Sequence, residues 1–105
     1  MPADPKTGQY REFTIEEPAT QLNEVQPVYP AELRAAGVTG QVVAQFVVDT
    51  TGLVDVGSFR VLTSDHALFT AAVRAAIPEL RFTPARVDGN KVRQLLQLPF
   101  SFAIP

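Results

Sequence analysis

Apolar and polar positions alternate most clearly in Gly40-Gln-Val-Val-Ala-Gln-Phe-Val-Val-Asp49. Val42, Ala44, Phe46 and Val48 share one face at period two, and Val43, Gln45, Val47 and Asp49 share the other, which is mixed. The β-branched content fits a pleated, half-buried surface. We therefore expect a strand with one buried face and one partly covered face, placed in the middle of a sheet. Asp49-Thr-Thr-Gly52 reads as a turn, with Gly52 free to take positive φ. Leu53 to Leu62 returns as the second strand of a β-hairpin.

The pattern before the hairpin is weaker. Residues 1–9 hold two prolines and no apolar periodicity and read as a mobile tail. Tyr10 to Glu16 is a candidate short strand, with Phe13 and Ile15 on one side; an extended arm fits equally well. Pro18 to Asn23 reads as linker, so residues 1–23 are taken as an arm and 24–105 as one domain. In Gln26-Pro-Val-Tyr-Pro-Ala-Glu-Leu-Arg-Ala-Ala-Gly37, Pro30 suits the first turn of a helix and Gly37 the position just past its end. Two turns are too short to stand alone. Leu33 and Ala36 must lean on the sheet, and Tyr29 anchors the start of the helix.

After the hairpin, Ser64 or Asp65 can cap a second helix. Leu68, Phe69, Ala72, Val73, Ala76 and Ile77 recur at three- and four-residue spacing and form its sheet-facing side. Pro78 should end that helix near Ile77. Leu80 and Phe82 continue as irregular or extended chain, Pro84 opens a short extended piece, and Asp88-Gly89-Asn90 is a turn signal. Lys91 to Ala103 alternates again. Leu96, Leu98, Phe100 and Phe102 share the apolar face, and Arg93, Gln97 and Ser101 lie opposite, with Leu95 as an exception.

The second helix must carry the chain back along the sheet, so the last strand runs antiparallel to the first and pairs beside it. The expected fold is α+β: a three-stranded antiparallel sheet in the order second–first–last, with two helices on one face. Pro99 has no N–H to give, which places the last strand at an edge. Arg93, Leu95, Gln97 and Ser101 share its phase and should point their peptide groups outward. An open edge is an aggregation liability unless it is covered or used.

Composition narrows the function classes. The chain has 105 residues, 46% of them apolar, enough for one domain with its own core and no need of metal or disulfides. A formal charge of −2 with dispersed Lys and Arg argues against a nucleic-acid surface. Cysteine is absent, which is compatible with any compartment. No apolar run approaches the ~20 residues of a membrane helix, and there is no secretory signal pattern.

Candidate chemistry is sparse. Ser64-Asp65-His66 cannot form a triad, whose members come from distant positions, and it reads as a helix cap. His66 is the only histidine and has no second His or Cys to share a metal. Asp49-Thr-Thr-Gly52 reads as a hairpin turn, and no Gly-rich phosphate loop is present. Arg74, Arg81, Arg86, Lys91 and Arg93 gather in the second half, either as a solvated face or as a basic patch for peptidoglycan or anionic lipid. No enzyme activity, cofactor, metal or small-molecule substrate is expected.

From Gln26 to Phe102 the sequence resembles the C-terminal domain of TonB-type energy transducers. The resemblance rests on Pro27-Val-Tyr29-Pro30, Gly40-x-Val42, and Phe46-x-Val48-Asp49-x-x-Gly52. It continues through Val61-x-x-Ser64, Ala71-Ala72-x-x-Ala75, Arg81-Phe82-x-Pro84-Ala85, Gly89-x-x-Val92 and Leu98-Pro99-Phe100-x-Phe102. Order and spacing carry it, since no single piece is specific. It implies a periplasmic domain, tethered to the inner membrane by an N-terminal helix and a Pro-rich spacer. Such domains take energy from the proton-driven ExbB and ExbD motor and pass it to outer-membrane transporters. They bind the transporter's TonB box as a strand added to the sheet edge.

The resemblance implies that Gln26 to Pro30 lies near that contact. The expected partner-binding residues are thus Gln26, Tyr29, Arg93, Leu95, Gln97 and Ser101. The N-terminal arm can alternatively cover the edge or pair two copies as a homodimer. The membrane helix and spacer of the family pattern are missing from this sequence, so it reads either as an excised domain or as a TonB-like module in another setting, and extra residues around Val56-Gly57-Ser58 hint at a divergent branch. The alternative these departures leave open is a TonB-like sensor or accessory module, uncoupled from energy and appended to a membrane peptidase.

Overall fold

The structure, a computed structural model, describes residues 16–104. Apart from Glu16, the candidate strand Tyr10–Glu16 lies outside the described residues. In chain order the elements are β1 (Thr20–Gln21), α1 (Ala31–Ala35), β2 (Gly40–Val48), β3 (Val54–Ser64) and α2 (Ala67–Ala76). A 3-10 turn (Ile77–Glu79) leads to β4 (Phe82–Thr83), β5 (Ala85–Val87), β6 (Asn90–Val92) and β7 (Gln94–Phe102). The main sheet is antiparallel, in the order β3-β2-β7. This is the expected order, second–first–last.

β2 is central because its alternation supplies a complete apolar face: Val42, Ala44, Phe46 and Val48 are all fully buried. α2 lays Phe69, Val73 and Ala76 against the core and α1 contributes Leu33. Burying side chains of this size contributes about 1.5–3 kcal/mol each. α2 ends at Ala76, and Pro78 sits in the 3-10 turn that follows, where the missing amide hydrogen is tolerated. Leu80 and Phe82 are buried as well.

Several local expectations need correction. The α2 cap is His66, whose Nδ1 accepts from the Leu68 amide at 3.0 Å. Asp65 is already engaged: its Oδ2 accepts from the Gln41 amide at 2.8 Å, tying the end of β3 to β2. Residues 18–23 are not a free linker, since Thr20–Gln21 pairs with Phe82–Thr83 and Glu17 bridges Arg86. Ala36 is exposed, leaving Leu33 as the buried residue of α1. The last strand is also shorter than its alternation implied. Asn90–Val92 pairs with Ala85–Val87 across a tight turn with Asp88 and Gly89 both at positive φ (53° and 77°), and only Gln94 onward joins β2.

At the β2–β3 turn, Asp49 Oδ1 accepts from the Thr51 amide (2.8 Å), the Thr51 hydroxyl (2.5 Å) and the Leu53 amide (3.1 Å). Gly52 takes φ +87° and its carbonyl accepts from the Phe82 amide at 2.9 Å. The turn is thus clamped from within by a carboxylate and from outside by the chain opening β4.

Two stability predictions follow from this turn. A Cβ on Gly52 would collide with the Phe82 carbonyl oxygen, whereas one on Gly89 meets nothing within 4 Å. Gly89→Ala should therefore lose only the ~1–3 kcal/mol of a left-handed non-glycine residue, and Gly52→Ala clearly more, measured by urea unfolding. The second concerns Asp49. Its partial burial favours the neutral acid, but the Thr51 hydroxyl, the Thr51 and Leu53 amides and the Arg93 charge outweigh this and lower its pKa from about 3.8. A lowered folded-state pKa stabilises the fold above the unfolded value, and that contribution is lost as pH falls through the folded value. Asp49→Asn should flatten this acid limb in denaturation curves taken below about pH 4.

Candidate functional site

A strand residue points its N–H and C=O to the same side, and successive residues alternate. On β2, Gln41 O accepts from the Asp65 amide and Val47 N donates to Ser58 Oγ, and one residue past its end Asp49 N donates to Leu53 O. Odd-numbered β2 residues therefore face β3, and even-numbered ones face β7. Even residues of β2 are in register with even residues of β7, from Gly40↔Phe102 to Val48↔Gln94 without a break. The peptide groups of Leu95, Gln97, Pro99 and Ser101 accordingly point away from the sheet. Pro99 puts its missing N–H on the side where no internal bond is lost.

The sheet has two edges, and they differ. The β2–β3 ladder shifts register twice, between Val43 and Ala44 and between Gln45 and Val47. Bulges of this kind twist an edge and interrupt its row of donors and acceptors. Along β7 the row is continuous. Among the described residues, no main-chain hydrogen bond reaches its outer side.

Beside the C-terminal half of β7, the segment Val25–Tyr29 forms the far wall of an open cleft of roughly 480 Å³. Arg34 and residues 99–103 complete its lining. Tyr29 fixes the wall. Its ring meets Phe69 and Phe102 edge-on, with centroids 5.7 and 5.6 Å away, while Phe69 and Phe102 stack at 4.2 Å. Its hydroxyl donates to the Val38 carbonyl beyond α1. Tyr29 is half-buried, so the same ring that packs also faces the cleft.

The six sequence-predicted site residues fall into three groups. Gln26 and Tyr29 line the cleft wall. Leu95, Gln97 and Ser101 lie on β7 with outward peptide groups, and Ser101 also lines the cleft. Arg93 stands one residue before β7, and its Nη2 pairs with Asp55 Oδ2 of β3 at 3.0 Å. Its side chain therefore braces the end of the sheet.

Two residues lacked a sequence signal. Arg34 lines the cleft with its guanidinium 6.0 Å from the Tyr29 ring centre, and no carboxylate among the described residues pairs with it. Gln94 is fully buried, and its Oε1 accepts from the Ala19 amide at 2.7 Å, pinning the N-terminal segment to the start of β7. Among the described residues, no cluster of three His, Cys, Asp or Glu could hold a metal. Ser64 and His66 are engaged locally: Ser64 Oγ donates to His66 O and accepts from Thr70 Oγ1.

Residues 25–104 match the family described as the Gram-negative bacterial TonB protein C-terminal. Among solved structures, the fold is similar to the solution NMR structure of the TonB C-terminal domain of Pseudomonas aeruginosa, with a TM-score of 0.63 and 31% identity. That match covers 82% of this chain and 86% of the other. No curated protein matches the chain.

The phase of β7 predicts an alternating pattern of amide hydrogen exchange. The amides of Leu96, Leu98, Phe100 and Phe102 should be protected, and those of Leu95, Gln97 and Ser101 should exchange orders of magnitude faster. Residue-resolved NMR exchange measures both sets, and uniform protection along β7 would contradict an open edge.

Proposed function

This chain belongs to the family of Gram-negative TonB C-terminal domains, and from that membership we propose that it captures the TonB box of outer-membrane transporters as a fourth strand along β7. It does so in the periplasm, as the end that passes proton-motive-force energy on to the transporter, in a transducer whose N-terminal regions contact ExbB and ExbD and are tethered to the inner membrane. The family is one of protein-interaction domains, and an open sheet edge supports a docking role. The observation that carries the reading is the unbroken β7 edge, with outward peptide groups beside the Gln26–Tyr29 wall.

Strand addition takes affinity from main-chain hydrogen bonds and specificity from flanking side chains. Each bond contributes only ~0.5–1.5 kcal/mol net, so a five-residue segment should bind on the order of micromolar. Leu95, Gln97 and Ser101 each present a donor and an acceptor, while Pro99 presents an acceptor alone. Tyr29 and Gln26 supply the side-chain contacts at the cleft. Pulling along the added strand loads several bonds in parallel, a suitable arrangement for transmitting force.

A second reading is a TonB-like sensor or accessory module without energy coupling, favoured by the extra residues of β3 around Gly57. The two readings share the binding edge and differ in its consequence. Grafting residues 24–105 onto the membrane helix and spacer of a TonB protein separates them. Restored transporter-dependent uptake supports the transducer, and peptide binding without uptake supports the accessory module.

The binding edge itself is tested by titrating a synthetic TonB-box peptide against isotope-labelled protein. Amide shifts should run along 94–102 and into 26–29. Gln97→Pro removes one outward donor without touching the β2 ladder and should weaken binding about two- to tenfold, the value of one hydrogen bond. Shifts confined to residues 50–60 would place the site elsewhere.

A further inference from the structure

On the other side of β2 from the β7 edge, the irregular part of β3 and the end of α2 enclose a groove of about 510 Å³. It originates in the register break of β3: the step from Gln45 to Val47 on β2 faces the longer run from Arg60 back to Asp55. The extra residues are held in place. Ser58 Oγ donates to the Asp55 carbonyl at 2.5 Å and accepts from the Val47 amide at 2.8 Å, standing in for the missing ladder partner. Asp55 Oδ1 accepts from the Gly57 amide at 3.1 Å. The bulge is thus a built feature of this chain.

Its surface combines two properties. Its apolar lining has the buried Phe59 and Ile77 at the base, with the exposed Pro78 and Val56 (57% exposed) beside the mouth. The rim carries Arg60 and Arg74. Arg74 lies over the Phe59 ring at 5.1 Å, and Arg60 Nη1 donates to the Phe59 carbonyl at 2.8 Å. Both guanidiniums are held, yet neither is paired with a carboxylate among the described residues. Pre-positioned guanidiniums lose little freedom on taking a carboxylate, which their planar fork matches in a bidentate manner.

We propose that this groove docks a partner protein segment in which an aliphatic or aromatic side chain is flanked by carboxylates. The apolar side chain sits against Phe59, Ile77 and Pro78, and the carboxylates pair with Arg60 and Arg74. An anionic bilayer fits less well, because the apolar residues line a concave notch that a flat lipid surface does not enter. The groove and the β7 edge lie on opposite sides of β2, so both can be occupied at once. This site does not depend on strand addition at β7.

The test uses the full chain and the peptide acetyl-Asp-Glu-Phe-Leu-Glu-Asp-amide, followed by amide shifts. Shifts should concentrate at residues 56–60 and 73–78, weaken with salt, and be absent with the same peptide carrying Lys in place of the acids. Replacing both rim cations (Arg60→Gln with Arg74→Gln) should weaken binding about three- to tenfold, as two exposed ion pairs imply. Because Arg74 also covers Phe59, Val56→Glu serves as an independent variant at an exposed position; it should weaken binding, and Val56→Lys should not. Binding unaffected by these changes, shifts along 94–102 instead, no shifts at millimolar peptide, or equal shifts with phosphatidylglycerol vesicles would each overturn the proposal.

Discussion

Pro99 carries no amide hydrogen, and that omission fixes the phase of the whole C-terminal strand. If its nitrogen faced β2, one ladder bond would be lost in the centre of the sheet. Facing outward, it costs nothing internally, and the alternation of the backbone then turns Leu95, Gln97 and Ser101 outward with it. The same phase turns Phe100 and Phe102 into the core, where both are buried. Side-chain burial and main-chain direction are thus satisfied by the same phase of the strand.

The aromatic cluster links that strand to the segment that walls the cleft. Phe102 stacks on Phe69 of α2, and Tyr29 closes on both from the side. Edge-to-face pairs of this kind contribute about 0.5–1.5 kcal/mol beyond the area they bury. The Tyr29 hydroxyl then reaches past the short α1 to Val38. A helix of five residues has little stability of its own, and it is these contacts that hold it. Cleft geometry and core packing therefore share residues, so damage to one is felt by the other.

The two edges of the sheet are managed differently. β3 breaks its ladder twice and fills the gap with the Ser58 hydroxyl and the Asp55 carboxylate. β7 keeps an uninterrupted register and leaves its outer row free of described main-chain partners. Arg93 and Asp55 join the two strands across the end of β2 at 3.0 Å. Both groups are partly exposed, so the pair is worth little as isolated stability. Its consequence is positional, since it fixes where β7 begins.

Much of this fold was legible in the sequence. The alternation of Val42 to Val48 identified the central strand, and the spacing of Phe69, Val73 and Ala76 identified the helix that covers it. Pro78 and Pro99 marked a helix end and an edge. These signals are local, because period and proline chemistry act within a few residues. The errors arose where a group chose among partners distant in sequence. Asp65 looked like a cap but bonds Gln41, leaving that task to His66. Residues 18–23 looked like linker, but Thr20 and Gln21 find Thr83 and Phe82. Arg34 and Gln94 gave no signal because their roles exist only beside Tyr29 and Ala19. Sequence periodicity determined which residues are buried and which strand is central; the tertiary structure alone decided which polar groups meet, because hydrogen-bond partners are selected by proximity in space.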